Sequence, residues 1–315
     1  MKKLILVDGN AILHRAYHAL PPLTNKNGIV VNAVYGFFSM FLKILEDQKP
    51  EFIVVCFDKK APTFRKELYV GYQAKRPKMS EDLVPQIKFV HDILKKAKIE
   101  IFEIDGYEAD DLIGTISVQA VTGKLDGGIE VFIVSGDRDL LQLVNSHVKM
   151  IAPVTGLTNM LLFDEAAVER KYGIKTSQIV DYKALVGDAS DNYPGVAGIG
   201  PKTAAGLICE YENLGNIYKN LEKIKKKNPN LALKLAQGAE AAGLAQKLAG
   251  VVLDAPIKLD IDQAQIKYFD KEGLIEEFEK FDFKSLLKRL KIEVKNEEKK
   301  AVQAEKNKVK QMELL

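Results

Sequence analysis

The chain opens with MKKLILVDGN (residues 1–10), in which a short apolar run ends abruptly at an acid. Two lysines and an apolar run also begin secretory signal peptides, but Asp8 interrupts this run after four residues, too early for such a peptide. A short run of branched aliphatic residues predicts a buried β-strand instead. The fold therefore depends on whether the same pattern, a buried strand followed by an acid, recurs along the chain.

The pattern recurs through the first half of the chain, where short apolar runs alternate with helical periodicity. The predicted strands are Leu4–Val7, Phe52–Phe57, Ile99–Ile104, Val131–Val134 and Val148–Ile151. The predicted helices between them cover about 11–20, 33–47, 80–98 and 108–122. Strands that are apolar on both faces and alternate with helices predict an α/β fold, in which helices cover both faces of a mainly parallel sheet.

From about residue 164 the strand signal fades and short helical patterns follow one another. These helices are predicted at 164–172, 176–185, 201–210, 214–220, 230–239, 241–250 and 271–289. The end of the chain is rich in Lys, Glu and Gln and too poor in apolar residues to fold alone. We therefore predict three parts: an α/β domain over 1–180, a helical region over 181–290, and a charged tail or linker over 291–315.

The composition is that of a globular, non-membrane protein. Apolar residues make up 47% of the 315 residues and charged residues 28%, and the longest apolar runs are too short to cross a bilayer. Cys56 and Cys209 are too few for a disulfide framework, which indicates a reducing, cytoplasmic environment.

Acids follow the predicted strands at the point where each strand ends. The carboxyl ends of parallel strands share one edge of a sheet, where ligands bind in open α/β folds. We expect nine acids at or near this edge: Asp8, Asp58, Glu108, Asp110, Asp111, Asp137, Asp139, Asp188 and Asp191. Each alone could be a turn residue or a helix N-cap, but that explanation does not predict that all of them share one edge.

Nine gathered carboxylates would raise one another's pKa values unless cations held them. Oxygen ligands favour hard divalent ions, so Mg²⁺ is expected and Mn²⁺ could replace it. The number of acids exceeds the needs of one ion and fits two ions about 4 Å apart, as in phosphoryl-transfer enzymes.

The charge balance points to a polyanionic substrate. The chain has 46 Lys and Arg against 43 Asp and Glu; without the nine clustered acids the balance is 46 against 34, an excess of 12 positive charges. A positively charged protein surface around an acidic, metal-binding pocket suits a nucleic acid whose phosphodiester must reach the ions.

A basic stretch, KKAPTFRKELYVGYQAKRPK (59–78), directly follows Asp58. Lysines and arginines alternate there with Phe64, Tyr69 and Tyr72. Such a run could be an ordinary solvated face, but stacking aromatics among cations are also what single-stranded nucleic acid requires.

A glycine-rich stretch, GDASDNYPGVAGIGPKTA (187–204), joins two acids to a lysine-tipped loop. The loop could be a packing corner between two helices. It could also be a phosphate-binding loop, since a glycine-rich loop that ends in a lysine suits that ligand.

These motifs together resemble the 5′-nuclease domain of bacterial DNA polymerase I, within the flap-endonuclease family, over about residues 3–290. The resemblance rests on the order of DGN (8–10), RAYH (15–18), AVYG (33–36), FD (57–58), TFR (63–65), GYEADD (106–111), SGDRD (135–139) and GDASDN (187–192). It implies a PIN-like α/β fold, an arch over the site at about 59–92, and a helix–two-turn–helix motif at 187–210, of the helix-hairpin-helix type.

The resemblance also implies roles for individual residues. The nine acids would hold two ions directly or through water. Arg15, Arg65 and Arg76 would hold the scissile phosphate, and Tyr72 would stack on a base. The family pattern has a lysine after this tyrosine, whereas this chain has Gln73, so that Lys75 is the candidate replacement. Gly198, Gly200, Lys202 and Thr203 would bind duplex phosphate, and the loop carbonyls would hold K⁺.

The resemblance implies 5′→3′ exonuclease and 5′-flap endonuclease activity in DNA replication and repair, by metal-assisted hydrolysis. The expected partners are 5′ flaps, nicked or gapped duplexes and Okazaki-type RNA–DNA junctions, bound by a monomer, with a polymerase portion in the same chain. A stand-alone exonuclease, a non-catalytic DNA-binding paralogue and a small-substrate phosphohydrolase remain alternatives.

Overall fold

The computed structural model describes residues 1–123 and 128–291. Its centre is a six-stranded sheet in the order β3-β2-β1-β4-β5-β6. The strands are β1 (Lys2–Asp8), β2 (Phe52–Cys56), β3 (Glu100–Phe102), β4 (Ile129–Val134), β5 (Val148–Thr155) and β6 (Asn159–Phe163). All neighbours pair in parallel except β5 and β6, so the predicted mainly parallel sheet is confirmed.

The antiparallel edge strand β6 was not predicted. It follows β5 through a hairpin, and Leu161 and Leu162 are exposed on it. Because its apolar residues do not alternate between core and solvent, periodicity carried no strand signal there.

Thirteen α-helices are bounded by named residues in the described part of the chain. In the first half they are α1 (Gly9–Ala19), α2 (Asn32–Gln48), α3 (Phe64–Leu68), α4 (Val84–Lys96) and α5 (Ala109–Thr122). In the second half they are α6 (Glu165–Tyr172), α7 (Ile179–Val186), α8 (Pro201–Tyr211), α9 (Leu214–Lys219), α10 (Leu221–Lys227), α11 (Pro229–Gln237), α12 (Ala239–Ala249) and α13 (Lys271–Lys280).

Most helices agree with the predictions, and the differences are local. The predicted helix 271–289 is interrupted, because Asp282 adopts a left-handed φ of 61° and a separate helical segment begins at 284. The short helices α3 and α10 were not predicted as separate elements. The predicted tail lies outside the described residues beyond 291.

Alternate side chains of the central strand β1 pack into two separate hydrophobic cores, one on each face of the sheet. Leu4 and Leu6 pack with α5 and with the helices of the second half of the chain. Ile5 and Val7 pack with α1, α2 and α4 on the other face, where α13 and the segment 284–291 also return. This period-two alternation explains why the strands read as continuous apolar runs: both faces of the sheet are covered. Within the described residues no helix is long and apolar enough to cross a membrane.

The chain reverses its direction across the sheet beside β1. From β1 it proceeds outward to β2 and β3, and then returns to the other side of β1 as β4 and β5. Such a switch point opens a crevice beyond the carboxyl ends of the strands. Asp8, Asp58 and Asp137 all follow strands that end at this crevice.

Candidate metal centre and nucleic-acid interface

Asp8 joins the two strands on either side of the switch point. As the last residue of β1 it caps α1, since the Ala11 N–H donates to its Oδ1 at 2.9 Å. The hydroxyl of Ser135, just after β4, donates to its Oδ2 at 2.6 Å. Both carboxylate oxygens are thus held in place at the base of the crevice.

The N-terminus of α5 brings further carboxylates to the same place. Asp58 Oδ1 accepts the Ala109 N–H at 2.7 Å, and Asn10 Oδ1 accepts the Asp58 N–H at 3.1 Å. Glu108 is the N-cap residue of α5, and Asp110 lies in its first turn. Acids are favoured at a helix N-terminus by the helix dipole, which explains how this sequence can carry them so close together.

A short hairpin presents the last acids. Its strands are β7 (Gly187–Asp188) and β8 (Tyr193–Pro194), and the turn between them is held by Asp188 Oδ1, which accepts the N–H groups of Ser190 and Asp191 at 2.7 and 3.1 Å. Oxygens of Asp139, Asp188 and Asp191 lie within 4.8 Å of one another. We call these three the second carboxylate group, and Asp8, Asp58, Glu108 and Asp110 the first.

Asp137 links the two groups electrostatically. Its charge raises the pKa of Asp110 and Asp8 in the first group, and of Asp191 in the second. Its own pKa is raised by burial and by Asp188. The Asp139 N–H donates to Asp137 Oδ1 at 2.9 Å, so the SGDRD motif forms a tight turn between the two carboxylate groups.

The first group carries more negative charge than its surroundings neutralise. Burial is the largest cause that raises the pKa of each of its four acids, and for Asp8 it raises the pKa from 3.8 to about 7. Neighbouring acids add to this effect. Buried carboxylates whose pKa values rise in the absence of ions are stabilised in their charged form by cations, and the all-oxygen donor set fits hard divalent ions.

Lys183 was not predicted as a site residue, yet it lies within the second group. From α7 its ammonium forms ion pairs with Asp139 and, at 2.6 Å, with Asp188. Burial alone would raise the pKa of Asp188, but hydrogen bonds from Lys183 and Ser190 lower it to about 2. Sequence spacing carried no signal for Lys183, because only the packing of α7 brings it to the acids.

Arg65 and Asp111 differ from their predicted roles. The Arg65 guanidinium is 2% exposed and holds Asp111 through two parallel bonds of 2.7 and 2.8 Å. It also donates to the carbonyls of Leu248 and Gly250 and forms an ion pair with Glu108. Four of the five N–H groups of Arg65 thus donate hydrogen bonds inside the protein, and Asp111 faces Arg65 rather than the crevice.

The arch residues lie in the crevice in this conformation. Tyr72 is 3% exposed, and its hydroxyl donates to Glu108 Oε2 at 3.1 Å instead of leaving the ring free to stack on a base. Arg76 donates to Asp191 Oδ1 at 2.6 Å, while Lys75 is exposed. Gln73, with a left-handed φ of 55°, donates its N–H to the Asp191 carbonyl at 2.8 Å.

Arg15, predicted to hold the scissile phosphate, lies against the β5–β6 hairpin in the structure. Its guanidinium donates to the carbonyls of Val154 and Gly156 in the β5–β6 hairpin, at 2.8 and 3.3 Å. Among the described residues no hydrogen bond or ion pair joins Arg15 to the nine acids. Its phosphate contact stays a prediction.

The glycine-rich loop presents backbone N–H groups and a cation to solvent. Gly200 is the N-cap residue of α8, and Gly198, Lys202 and Thr203 are exposed around it. Lys234 of α11 donates to the Gly198 carbonyl at 3.2 Å. An exposed helix N-terminus beside lysine side chains is suited to hold phosphate.

Comparisons with known proteins agree with this geometry. Residues 3–173 match the model of the 5′-3′ exonuclease N-terminal resolvase-like domain, and 174–272 match that of the 5′-3′ exonuclease C-terminal SAM fold. DNA polymerase I of Caldicellulosiruptor bescii is 43% identical over 290 residues, 91% of this chain and 33% of that protein. The chain thus spans about a third of the length of this relative.

A relative of matching length is the 5′-3′ exonuclease of Aquifex aeolicus, 38% identical over 290 residues, which are 92% of this chain and 96% of that one. Among solved structures, the bacteriophage T5 D15 flap endonuclease, in a complex with DNA and metal ions, has a similar fold, with a TM-score of 0.64 and 19% identity over 91% of this chain and 100% of that one. From the two family models and these relatives we conclude that the chain belongs to the 5′-3′ exonuclease family.

Proposed function

We propose that this chain is a metal-dependent, structure-specific 5′ nuclease that hydrolyses DNA phosphodiesters 5′→3′ and cleaves 5′ flaps. The observation that carries the proposal is the acid cluster at the switch point. The second group places three carboxylate oxygens within 4.8 Å of one another, and the four acids of the first group, whose pKa values burial raises, interact electrostatically with one another and with Asp137. A cluster of this size with only oxygen donors favours two Mg²⁺ ions, for which Mn²⁺ can substitute.

Each part of the site has a distinct task in this proposal. The two carboxylate groups hold the ions, and Ser135 and the Ala109 N–H orient Asp8 and Asp58 for that purpose. Bound ions supply a nucleophile at neutral pH and stabilise the charge that develops on the phosphate. Arg76 donates to Asp191 and, unlike the buried Arg65, is half exposed, so we assign it the contact to the scissile phosphate.

The glycine-rich loop binds the duplex away from the cut. Backbone N–H groups at Gly198 and Gly200, with Lys202 and Thr203, contact phosphates, and loop carbonyls hold K⁺. These contacts fix register without reading sequence, which agrees with a structure-specific enzyme. The substrates are 5′ flaps, nicked or gapped duplexes and RNA–DNA junctions, and a polymerase portion in the same polypeptide would act on the DNA that the nuclease has trimmed.

The test separates chemistry from binding. We expect Asp137→Ala and Asp188→Ala to abolish cleavage of a labelled 5′-flap DNA in Mg²⁺, while binding of the same DNA in Ca²⁺ persists. Lys202→Ala should weaken binding and lower its salt dependence by about one phosphate contact, with cleavage retained at saturating protein. Asp105→Ala is the matched control, since Asp105 also follows a strand but pairs with Lys59 at 3.4 Å.

Cleavage by the Asp137→Ala variant at the wild-type rate would contradict the proposed metal centre. Absence of cleavage by the wild-type chain, with DNA binding intact, would instead favour a non-catalytic DNA-binding protein.

A further inference from the structure

The second carboxylate group already contains a cation that belongs to the protein. Lys183 reaches it from α7, and its side chain is 14% exposed. Its ammonium bridges Asp139 and Asp188, which are two of the three acids whose oxygens converge within 4.8 Å. An ion held by these three carboxylates would therefore have to share the space that the ammonium occupies.

The two groups differ in the protein cations that contact them: Arg65 pairs with one acid of the first group, Glu108, whereas Lys183 bridges two acids of the second. In the first group burial and neighbouring acids raise the pKa of all four carboxyls. In the second group Lys183 bridges Asp139 and Asp188, and hydrogen bonds from Lys183 and Ser190 lower the pKa of Asp188, whereas burial raises the pKa of Asp191. Arg76 also donates to Asp191 at 2.6 Å, but its side chain is 48% exposed and can move away more easily than Lys183.

We propose that Lys183 is the resident counter-cation of the second carboxylate group, where it pairs with Asp139 and Asp188 until a divalent ion displaces its ammonium. This inference rests on the proposed function, because it assumes that the two groups hold ions. Two cations that compete for the same carboxylates weaken each other's binding reciprocally. The first ion therefore binds tightly and the second weakly, so that the second is retained chiefly when a substrate phosphate adds ligands of its own.

The first experiment is a calorimetric titration of DNA-free, metal-free protein with Mg²⁺. In Lys183→Met, whose side chain has similar length but no charge, we expect the weaker ion to bind at least about tenfold more tightly, within the usual range of coupling between sites. The tighter ion should change little. Lys183→Arg keeps the charge and should retain the weak second ion.

Lys149→Met is the matched control, because Lys149 also pairs with a carboxylate, Glu130, at 2.6 Å, but lies outside the acid cluster. It should leave both affinities unchanged. Unchanged or weaker binding of the second ion in Lys183→Met would overturn the proposal. Unchanged binding would mean that Lys183 does not compete with the ion, and weaker binding would mean that Lys183 helps to position the carboxylates that hold it.

A second measurement uses the wild-type chain and so does not depend on whether the variants fold. Amine acetylation with an N-hydroxysuccinimide ester, read by mass spectrometry, should modify Lys183 slowly in chelator and several-fold faster in saturating Mg²⁺. Lys149 should react equally in both conditions. Equal reactivity of Lys183 in both would contradict displacement, whereas failure of the wild-type chain to cleave flap DNA would count against the proposed function alone.

Discussion

Arg65 and Arg76 belong to the same basic segment, yet the structure gives them opposite environments. Arg65 is 2% exposed, donates four hydrogen bonds to Asp111 and two backbone carbonyls, and forms an ion pair with Glu108. Arg76 is half exposed and bonds to one acid of the site. We infer that Arg65 is a positioning residue, which connects the base of the arch to α5 and to the end of α12, and that Arg76 meets the substrate.

Substitution of the two arginines should therefore separate stability from activity. Arg65→Ala leaves Asp111, which is fully buried, without its ion-pair partner, and should lower the free energy of unfolding by about 3–5 kcal/mol. Arg76→Ala should lower it far less, since half-exposed pairs contribute little, but should strongly reduce flap cleavage. Urea denaturation and single-turnover cleavage measure the two effects. Unchanged stability of Arg65→Ala would restore Arg65 as a phosphate contact.

At the residue scale the sequence predicts the acids better than the cations. An acid after a strand is placed by the sheet itself, and Asp8, Asp58 and Asp137 converge for that reason. The position of a lysine or arginine head group depends on long, flexible side chains and on packing between distant segments. Lys183 was missed for this reason, and the assignment of Arg65 to the phosphate did not anticipate its pairing with Asp111.

Two glycines bring the β7–β8 hairpin together closely enough to place its acids. Gly187 has a φ of 77°, a left-handed value that favours glycine, and it pairs across the hairpin beside Gly195. A Cβ at Gly195 would lie 2.3 Å from the Gly187 nitrogen and 2.4 Å from the Leu185 oxygen, and both are backbone atoms, which give way less easily than the end of a flexible side chain. The acids of the turn depend on this close approach of two backbones.

Gly195→Ala should therefore open the hairpin and weaken the second ion. We expect a loss of about 1–3 kcal/mol in the free energy of unfolding, typical of strain forced into a packed site, together with weaker Mg²⁺ binding. Gly206→Ala in α8 is the matched control: no atom lies within 4 Å of a Cβ there, and alanine should stabilise the helix by about 0.5–1 kcal/mol. A Gly195→Ala protein as stable as the wild type would mean that the hairpin relaxes without consequence.

Helices and strands were predicted correctly where the apolar pattern extends over several residues of the element, and were missed where the element is too short to show a pattern. The five parallel strands and most of the helices follow apolar patterns that the sheet and its two cores impose. Each strand of the β7–β8 hairpin has two residues, too few for any alternation, and the short helix α3 is shaped by its contacts with α12. Tertiary contacts, not local propensity, define these elements.

At the scale of the whole molecule, the fold concentrates negative charge at one edge of the sheet and leaves an excess of positive charge elsewhere. The core that covers α5 continues into the helical second half, so the α7–α8 segment that carries Lys183, Asp188 and Asp191 is fixed relative to the strand ends. The stability of the molecule is therefore coupled to the protonation of the acid cluster and to the ions that replace the protons.

In chelator, the acid cluster should destabilise the protein as pH rises. The folded-state pKa of Asp8 is about 7 against 3.8 for an unperturbed group, so its contribution to stability is fully present below pH 3.8 and is lost as pH rises through about 7. This shift corresponds to about 4 kcal/mol, and Asp58, Glu108, Asp110 and Asp137 shift in the same direction.

Mg²⁺ should reverse this trend, because ions and protons compete for the same carboxylates. We expect the increase in Tm caused by saturating Mg²⁺ to be larger at pH 8 than at pH 5.5. His91, whose pKa burial lowers and whose charged neighbours lie outside the acid cluster, titrates alike with and without Mg²⁺ and cancels in the difference. His14, whose pKa burial also lowers, does not cancel, because Asp58 acts to raise that pKa and an ion on Asp58 would offset that effect. Asp8→Asn should reduce the pH dependence of the Mg²⁺ effect, and Asp254→Asn, at an exposed position, should not. An equal or larger Mg²⁺ effect at pH 5.5 would show that the ions bind elsewhere, because only carboxylates that lose protons in this range can exchange them for metal.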